Sequence, residues 1–600
     1  MLSFLKSVLA SAVGTLLAFV GAGFLLVVAL VGLIGSAGDG YQRVVAVTPQ
    51  SMLLIGGDLA INDTPEHGAP GIDQLLFGVA GPQLDLLRAL EAIDLAAKDE
   101  RIAGILLSGN LIAGHVQKAE LRQAIAAFKQ TSGKPVLAWI ENGSQMEYYL
   151  SSVADKVYLH TSGELEFKGL AGFGPYFGET LQLVGLGVQV TKVGKYKSAV
   201  EPYLGGAMSP EAREQEAAML DGIWKRLLGE VARSRGLTPA ELTRAVDSAG
   251  VFPARRAVAL KLADAALHRD ELVGVVRAAG AGVDDSGTSF RKIGLHRYAQ
   301  KVVLPARGPG IAIVYAEGEI VDGWGGLADI GGDRLARDLR DIRGADRFKA
   351  VVLRVNSPGG SAFASDVVAR EVGLLKAKGI PVVVSMGDVA ASGGYYIAAK
   401  ASLVMADRST ITGSIGVFGL LLNYEELAKK VRLGTDGVKT GRFADLLSGH
   451  RAATPQELAI VQASVDGVYE DFLRIVAEGR GMTRDSVHDI AQGRVWLGED
   501  ARGLRLVDKL GGLRDAIKEA QSLAKLDQAE WVQFPGLHEG RETFWQQLLS
   551  DEEDSPLFVK ASTDPARDFL KANARWLRSL RALNDPKGVY LTCPLTLPRR

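Results

Sequence analysis

Residues 383–396 read VVSMGDVAASGGYY, and residues 136–149 read VLAWIENGSQMEYY, the same frame 247 positions earlier. Each stretch opens on an apolar run, passes through small and polar residues and closes on a tyrosine pair, Tyr395-Tyr396 and Tyr148-Tyr149. Later landmarks keep nearly the same offset. Gly174 answers Gly419, Gly194 answers Gly441, Asp221 answers Asp466, Gly236 answers Gly481 and Asp264 answers Asp508, at separations of 244 to 247. An ordered series that drifts only by small insertions marks two tandem copies of one domain rather than a short-period solenoid.

Within the second copy, IAIVY (311–315), AVVLRV (350–355), IPVVVS (380–385) and ASLVMA (401–406) are short, apolar and β-rich. Residues 333–343 and 364–378 between them carry helical spacing. Strands alternating with helices imply an α/β domain around a buried, largely parallel sheet. A long helix is expected over 454–480, with Thr454 as N-cap, Pro455 at the first position and Glu457 at the third. Ser209-Pro210-Glu211 opens the matching helix of the first copy.

The 600 residues hold 68 Lys plus Arg against 69 Asp plus Glu, a formal net charge of -1, so nothing marks the whole chain as a nucleic-acid binder. A single cysteine, Cys593, excludes an intramolecular disulfide and the multi-cysteine metal and redox motifs. From Ser7 to Gly38 the chain runs 32 residues without a charge. About 20 suffice to span a bilayer, so an uncleaved transmembrane anchor is expected, with the rest of the chain outside the cytoplasm. The expected organisation is an anchor over 1–46, a first α/β copy over 47–278, a linker over 279–307, a second copy over 308–515 and a C-terminal extension over 516–600. Within the extension, residues 569–583 show the apolar spacing of a packing helix.

Two glycine-rich turns in the second copy could carry chemistry. VVLRVNSPGG (351–360) is a buried strand entering a turn with two adjacent glycine amides, which can face a developing oxyanion. The segment 388–396 places Ser392 between a strand and an expected helix start, beside the Gly393 N–H, in the logic of a nucleophile elbow but without its G-x-S-x-G sequence. Read blandly, each is a tight turn, with Ser392 only capping a helix. A serine nucleophile needs a base. The eight histidines fall in no recognisable motif, whereas GKYKSAVEP (194–202) of the first copy offers Lys197. By the duplication Ser392 aligns with Gln145 and Lys197 with Ala444, so each copy carries one half of a Ser-Lys pair. An ordinary lysine, with pKa about 10.4, is neutral about once in 2,500 molecules at pH 7. Lys197 must therefore be buried and lack a carboxylate partner. Ser414, in STITGSIGV (409–417), is placed to hydrogen-bond a neutral amine, or simply sits in a strand-edge turn.

Together, NSPGG, ASGGYY, TGSIGVFG and the preceding GKYKSAVEP resemble the long, duplicated form of the signal peptide peptidase A (protease IV) family, over nearly the whole chain. The resemblance implies tandem crotonase-like, Clp-protease-like α/β domains behind a single-pass anchor. It implies Ser392 as nucleophile, Lys197 as general base, Ser414 as the lysine's orienting partner, and the Gly359 and Gly393 N–H groups as the oxyanion hole. It also implies a homotetramer in the bacterial inner membrane, catalytic domains on the periplasmic side, that degrades cleaved signal peptides and other apolar peptides without metal or cofactor. Two alternatives remain at this level. An acyl-CoA-binding crotonase-like enzyme would use the glycine amides alone, and a non-catalytic membrane scaffold would use none of these residues.

Overall fold

The computed structural model of the protein describes residues 46–65, 82–326, 328–534 and 589–593. The uncharged run 7–38 of the anchor expected over 1–46 and the expected helix over 569–583 lie outside the described residues. Among the described residues no helix is long and apolar enough to cross a membrane.

Each copy is built on its own mainly parallel sheet. In the first, Ala265–Leu267, Lys156–Glu166, Val136–Gly143, Ile102–Ser108, Ser51–Gly56 and Lys292–Gly294 lie side by side in that order. Lys292–Gly294, inside the stretch expected as linker, is thus the edge strand of the first sheet, parallel to Ser51–Gly56. In the second, the order is Val495–Leu497, Ile411–Gly413, Val382–Ala391, Phe348–Ser357, Gly310–Glu317 and Glu530–Phe534. The last of these falls in the expected C-terminal extension and pairs in parallel with Gly310–Val314.

Local signals explain the elements. The four β-rich runs of the second copy lie in the strands Gly310–Glu317, Phe348–Ser357, Val382–Ala391 and Leu403–Ala406. Their side chains are buried on both faces, as expected when helices cover a parallel sheet. The two helical spacings become Gly332–Gly344 and Ala362–Ala377. Pro455–Arg480 and Pro210–Arg235 are both 26 residues long. Thr454 Oγ1 accepts from Glu457 N, Ser209 Oγ from Ala212 N, and both helices end on a left-handed glycine, Gly481 and Gly236.

A third sheet joins the copies. It runs Asp329–Gly331, Glu319–Val321, Gly359–Ser361, Val589–Thr592, Val417–Asn423 and Gly187–Val193. First-copy strand Gly187–Val193 is antiparallel to second-copy strand Val417–Asn423 over seven residue pairs, ending at Val193↔Val417. Ion pairs between the copies, Arg226–Asp407 and Arg514–Asp94 among them, reinforce the seam.

Candidate active site

The register Val193↔Val417 decides what meets at the seam. Continuing forward from Val193, the first copy travels toward the residues that precede Val417, and four residues later it delivers Lys197 to the turn at Ser414. Room for the lysine stem depends on glycine: a Cβ on Gly493 would lie 2.6 Å from Lys197 N, and one on Gly416 would lie 3.3 Å from Lys197 Cδ. Tyr196 N donates to Gln492 O at 3.0 Å, tying the same loop to the second copy.

Ser392 follows the last residue of the central strand Val382–Ala391 and precedes the short helix Gly393–Ala398. Its N–H donates to Gly413 O at 2.8 Å, which prolongs the pairing Ala391↔Gly413 by one step. Its backbone is held at φ 56°, ψ -115°, a conformation costly for an L-residue and concentrated at functional sites. The side chain is fully buried.

Lys197 Nζ lies 2.7 Å from Ser392 Oγ, 3.1 Å from Ser414 Oγ and 3.2 Å from Ser414 O. Three neutral oxygens are what a neutral amine can satisfy, with two N–H donors and one lone pair. The lysine is 1% exposed. Burial pushes its pKa down to about 7, opposed by the nearby Cys593. At neutral pH a large fraction of Lys197 is therefore a free base. Lys195, two residues back, is exposed and lies over the Tyr196 ring at 5.1 Å from its centroid.

The glycines close the other side. Gly359 and Gly360 have φ of +105° and +155°. A Cβ on Gly359 would come within 2.7 Å of Gly393 N, so the two turns touch only because neither residue has a side chain. The Gly359 N–H donates to Ser357 Oγ at 3.1 Å. The structure thus gathers Ser392, Lys197, Ser414, Gly359 and Gly393 at one place, from both copies.

One neighbour escaped the sequence reading. Val589–Thr592 pairs antiparallel with Gly359–Ser361 on one side and with Phe418-Gly419 on the other, and Cys593 N donates to Pro358 O at 2.8 Å. Its side chains enter two apolar recesses. Cys593 packs among Met219, Ile223, Val389, Ala391 and Leu497, while Tyr590 packs among Ala199, Val200, Phe418 and Leu420. The alternation VYLTC (589–593) is strand-like, but its partners are remote in sequence and nothing in the spacing names them.

A Ser-Lys pair beside glycine amides defines a class, the serine hydrolases. Residues 128–284 and 375–527 match peptidase family S49. Over 515 residues the chain is 36% identical to "Protease 4" of Salmonella typhi, covering 84% of this chain and 83% of that protein. It is 33% identical over 592 residues to "Protease 4" of Haemophilus influenzae, covering 95% and 94%. "Serine protease SPPA, chloroplastic" of Arabidopsis thaliana is 32% identical over 459 residues, covering 75% and 66%. The chain belongs to peptidase family S49 and is a serine peptidase of the duplicated kind, which displaces the acyl-CoA and scaffold alternatives.

Proposed function

We propose that the protein is a membrane-anchored endopeptidase that degrades cleaved signal peptides, with Ser392 as nucleophile and Lys197 as general base. The observation that carries this reading is the 2.7 Å separation of Lys197 Nζ and Ser392 Oγ across the seam between the copies. In this mechanism neutral Lys197 takes the Ser392 proton as Oγ attacks the substrate carbonyl, then returns it to the leaving amine. Ser414 fixes the two N–H bonds of the amine and so points its lone pair at Ser392. The N–H groups of Gly393 and Gly359 stabilise the oxyanion, the latter exchanging its bond to Ser357 Oγ for the substrate oxygen. Water then hydrolyses the acyl-enzyme with Lys197 again as base.

An extended substrate is taken to run along the lane beside Gly359–Ser361 in place of Val589–Thr592, held by main-chain pairing. The apolar recesses that receive Cys593 and Tyr590 suit the apolar middle of a signal peptide. Such peptides partition into bilayers, so an enzyme tethered by the uncharged run 7–38 meets them where they are released. The family resemblance adds crotonase-like, Clp-protease-like copies, a homotetramer and a place in the bacterial inner membrane with the catalytic domains periplasmic. The test is hydrolysis of a synthetic signal peptide by detergent-solubilised full chain, beside Ser392→Ala and Lys197→Ala. Loss in both folded variants is expected, and undiminished cleavage by either removes that residue from the mechanism.

A further inference from the structure

Asp63, from the first copy, is fully buried and lies next to the second-copy strand that leads to the Ser357-Pro358-Gly359 turn. Its Oδ1 accepts from Arg354 Nε at 3.0 Å and its Oδ2 accepts from Asn356 Nδ2 at 3.0 Å. Arg354 is also fully buried, and its remaining donors are all used. Nη1 donates to Ser385 Oγ at 2.9 Å and to Met386 O at 3.3 Å, and Nη2 donates to Glu120 Oε1 at 2.9 Å and lies 3.0 Å from Asp63 Oδ1. Glu120, another first-copy residue, accepts from Leu513 N at 2.7 Å with its second oxygen. Thr64 extends the contact, donating through its N–H and hydroxyl to Glu317 Oε2 at 3.1 and 2.9 Å.

The cluster borders an irregularity in the sheet. Val355 pairs with Met386, but Ser357 pairs with Ala390, so two steps along one strand face four along the other. The surplus lies at Gly387–Val389, three to five residues before Ser392. Asn356 fills the resulting gap: its Oδ1 accepts from Val389 N at 3.3 Å, and a Cβ on Gly387 would lie 2.9 Å from Asn356 Cγ. The bulge also aims Asp388 at the first copy, where Oδ1 accepts from Val116 N at 2.7 Å. Bulges re-aim side chains next to active sites, and this one sets how far the Ser392 strand advances toward the glycine turn.

The choice of a carboxylate at position 63 is informative. A buried ion pair adds little stability over a well-packed apolar one, so stability alone gives little reason for charge here. What an ionised Asp supplies is acceptors only. Facing Asp63, the Asn356 amide can present only its NH₂ group, which turns its oxygen to the Val389 N–H. Asp63 thereby dictates which way Asn356 points and, through it, the geometry of the bulge. Resting on the proposed roles of Ser392 and Lys197, we infer that Asp63 is a positioning residue for the catalytic site, by which the first copy sets the placement of the second copy's nucleophile.

The test uses the full chain in detergent and a fluorophosphonate that acylates serine nucleophiles, with kcat and KM for a peptide substrate and Tm measured in parallel. Asp63→Asn puts an amide NH₂ against a donor. It is expected to lower kcat and the acylation rate by about 10 to 100-fold, the scale of a displaced catalytic group, with little change in KM. The exchange Asp63→Asn with Asn356→Asp restores donor to acceptor and is expected to recover most of the rate. Arg514→Ala also breaks a bond between the copies, away from the bulge, and is expected to lower Tm while leaving kcat intact.

A folded Asp63→Asn protein with wild-type acylation overturns the inference. So does a folded exchange variant as slow as the single one, and this second reading decides the matter should Asp63→Asn alone fail to fold. If Ser392→Ala stays active, the site reading and the inference fall together. If Ser392→Ala is dead while Asp63→Asn runs at full rate, only the inference falls.

Discussion

The two copies keep the same frame and part company where the nucleophile is proposed. Tyr148 donates to Leu262 O at 2.7 Å, and Tyr395 donates to Leu506 O at 2.8 Å. Asp264 accepts from Val157 N at 2.8 Å and pairs with Arg235, and Asp508 accepts from Val404 N at 2.7 Å and pairs with Arg480. At the end of the central strand this agreement stops. The second copy has Ser392, whose hydroxyl meets a lysine from the other copy. The first has Gln145, whose Oε1 accepts from Lys168 N at 3.0 Å and Gly169 N at 2.9 Å and whose Nε2 donates to Gly169 O at 3.3 Å. The longer amide side chain reaches its own copy's backbone. The proposed nucleophile thus stands in one copy and the proposed base in the other, and the copies face each other across the seam.

Breaking the functional half is expected to have the largest effect. Ser392→Ala should lower peptide hydrolysis by about 10⁴-fold or more, read as kcat under saturating substrate. Lys197→Met should cost nearly as much, with a second signature in stability. The folded protein holds this amine near a pKa of about 7, below its unfolded value near 10.5. The unfolded chain therefore binds the extra proton between those values, and wild-type stability rises with pH across that window by about 1.4 kcal/mol per unit. Thermal unfolding from pH 6 to 9 should show that rise in wild type and its loss in Lys197→Met; parallel curves would place the lysine in water.

Ser414→Ala removes one of the two acceptors that orient the amine. A fall in kcat of about 10 to 100-fold is expected, with KM nearly unchanged. The first copy's strand end at Gln145 should respond differently. Gln145→Ala leaves two backbone N–H groups of the first copy without their acceptor, a loss of about 1–3 kcal/mol in denaturant unfolding with kcat unaltered. A large loss of kcat in that variant would mean that the first copy's strand end takes part in the reaction.

Much of the frame was legible because it rests on local rules. The strands of the second copy announce themselves as β-branched runs, and Pro455–Arg480 carries its whole N-terminal signature in Thr454-Pro455-Gln456-Glu457. The offset near 247 showed that Ser392 and Lys197 come from different copies, and chemistry required the lysine to be buried. What stayed hidden depends on register between distant segments. No local pattern tells that Asp63 meets Arg354 and Asn356, since two ordinary-looking charges 291 residues apart become partners only after the copies dock. Lys292–Gly294 falls in the expected linker because three residues beside a polar stretch carry too little periodicity to read as a strand. Val589–Thr592 reads as a strand, but its lane between Gly359–Ser361 and Val417–Asn423 is set by tertiary packing alone.

If a lysine of one copy serves as base for a serine of the other, the rate of Ser392 acylation follows the protonation of that lysine. With a fluorophosphonate probe, the wild-type rate should rise about tenfold per pH unit below about 7 and level off above it, as Lys197 loses its proton. Lys197→Ala should be slow throughout and lack that break. A wild-type profile that is flat between pH 5 and 9, or one that Lys197→Ala reproduces, would contradict the pairing of the two copies in one active site.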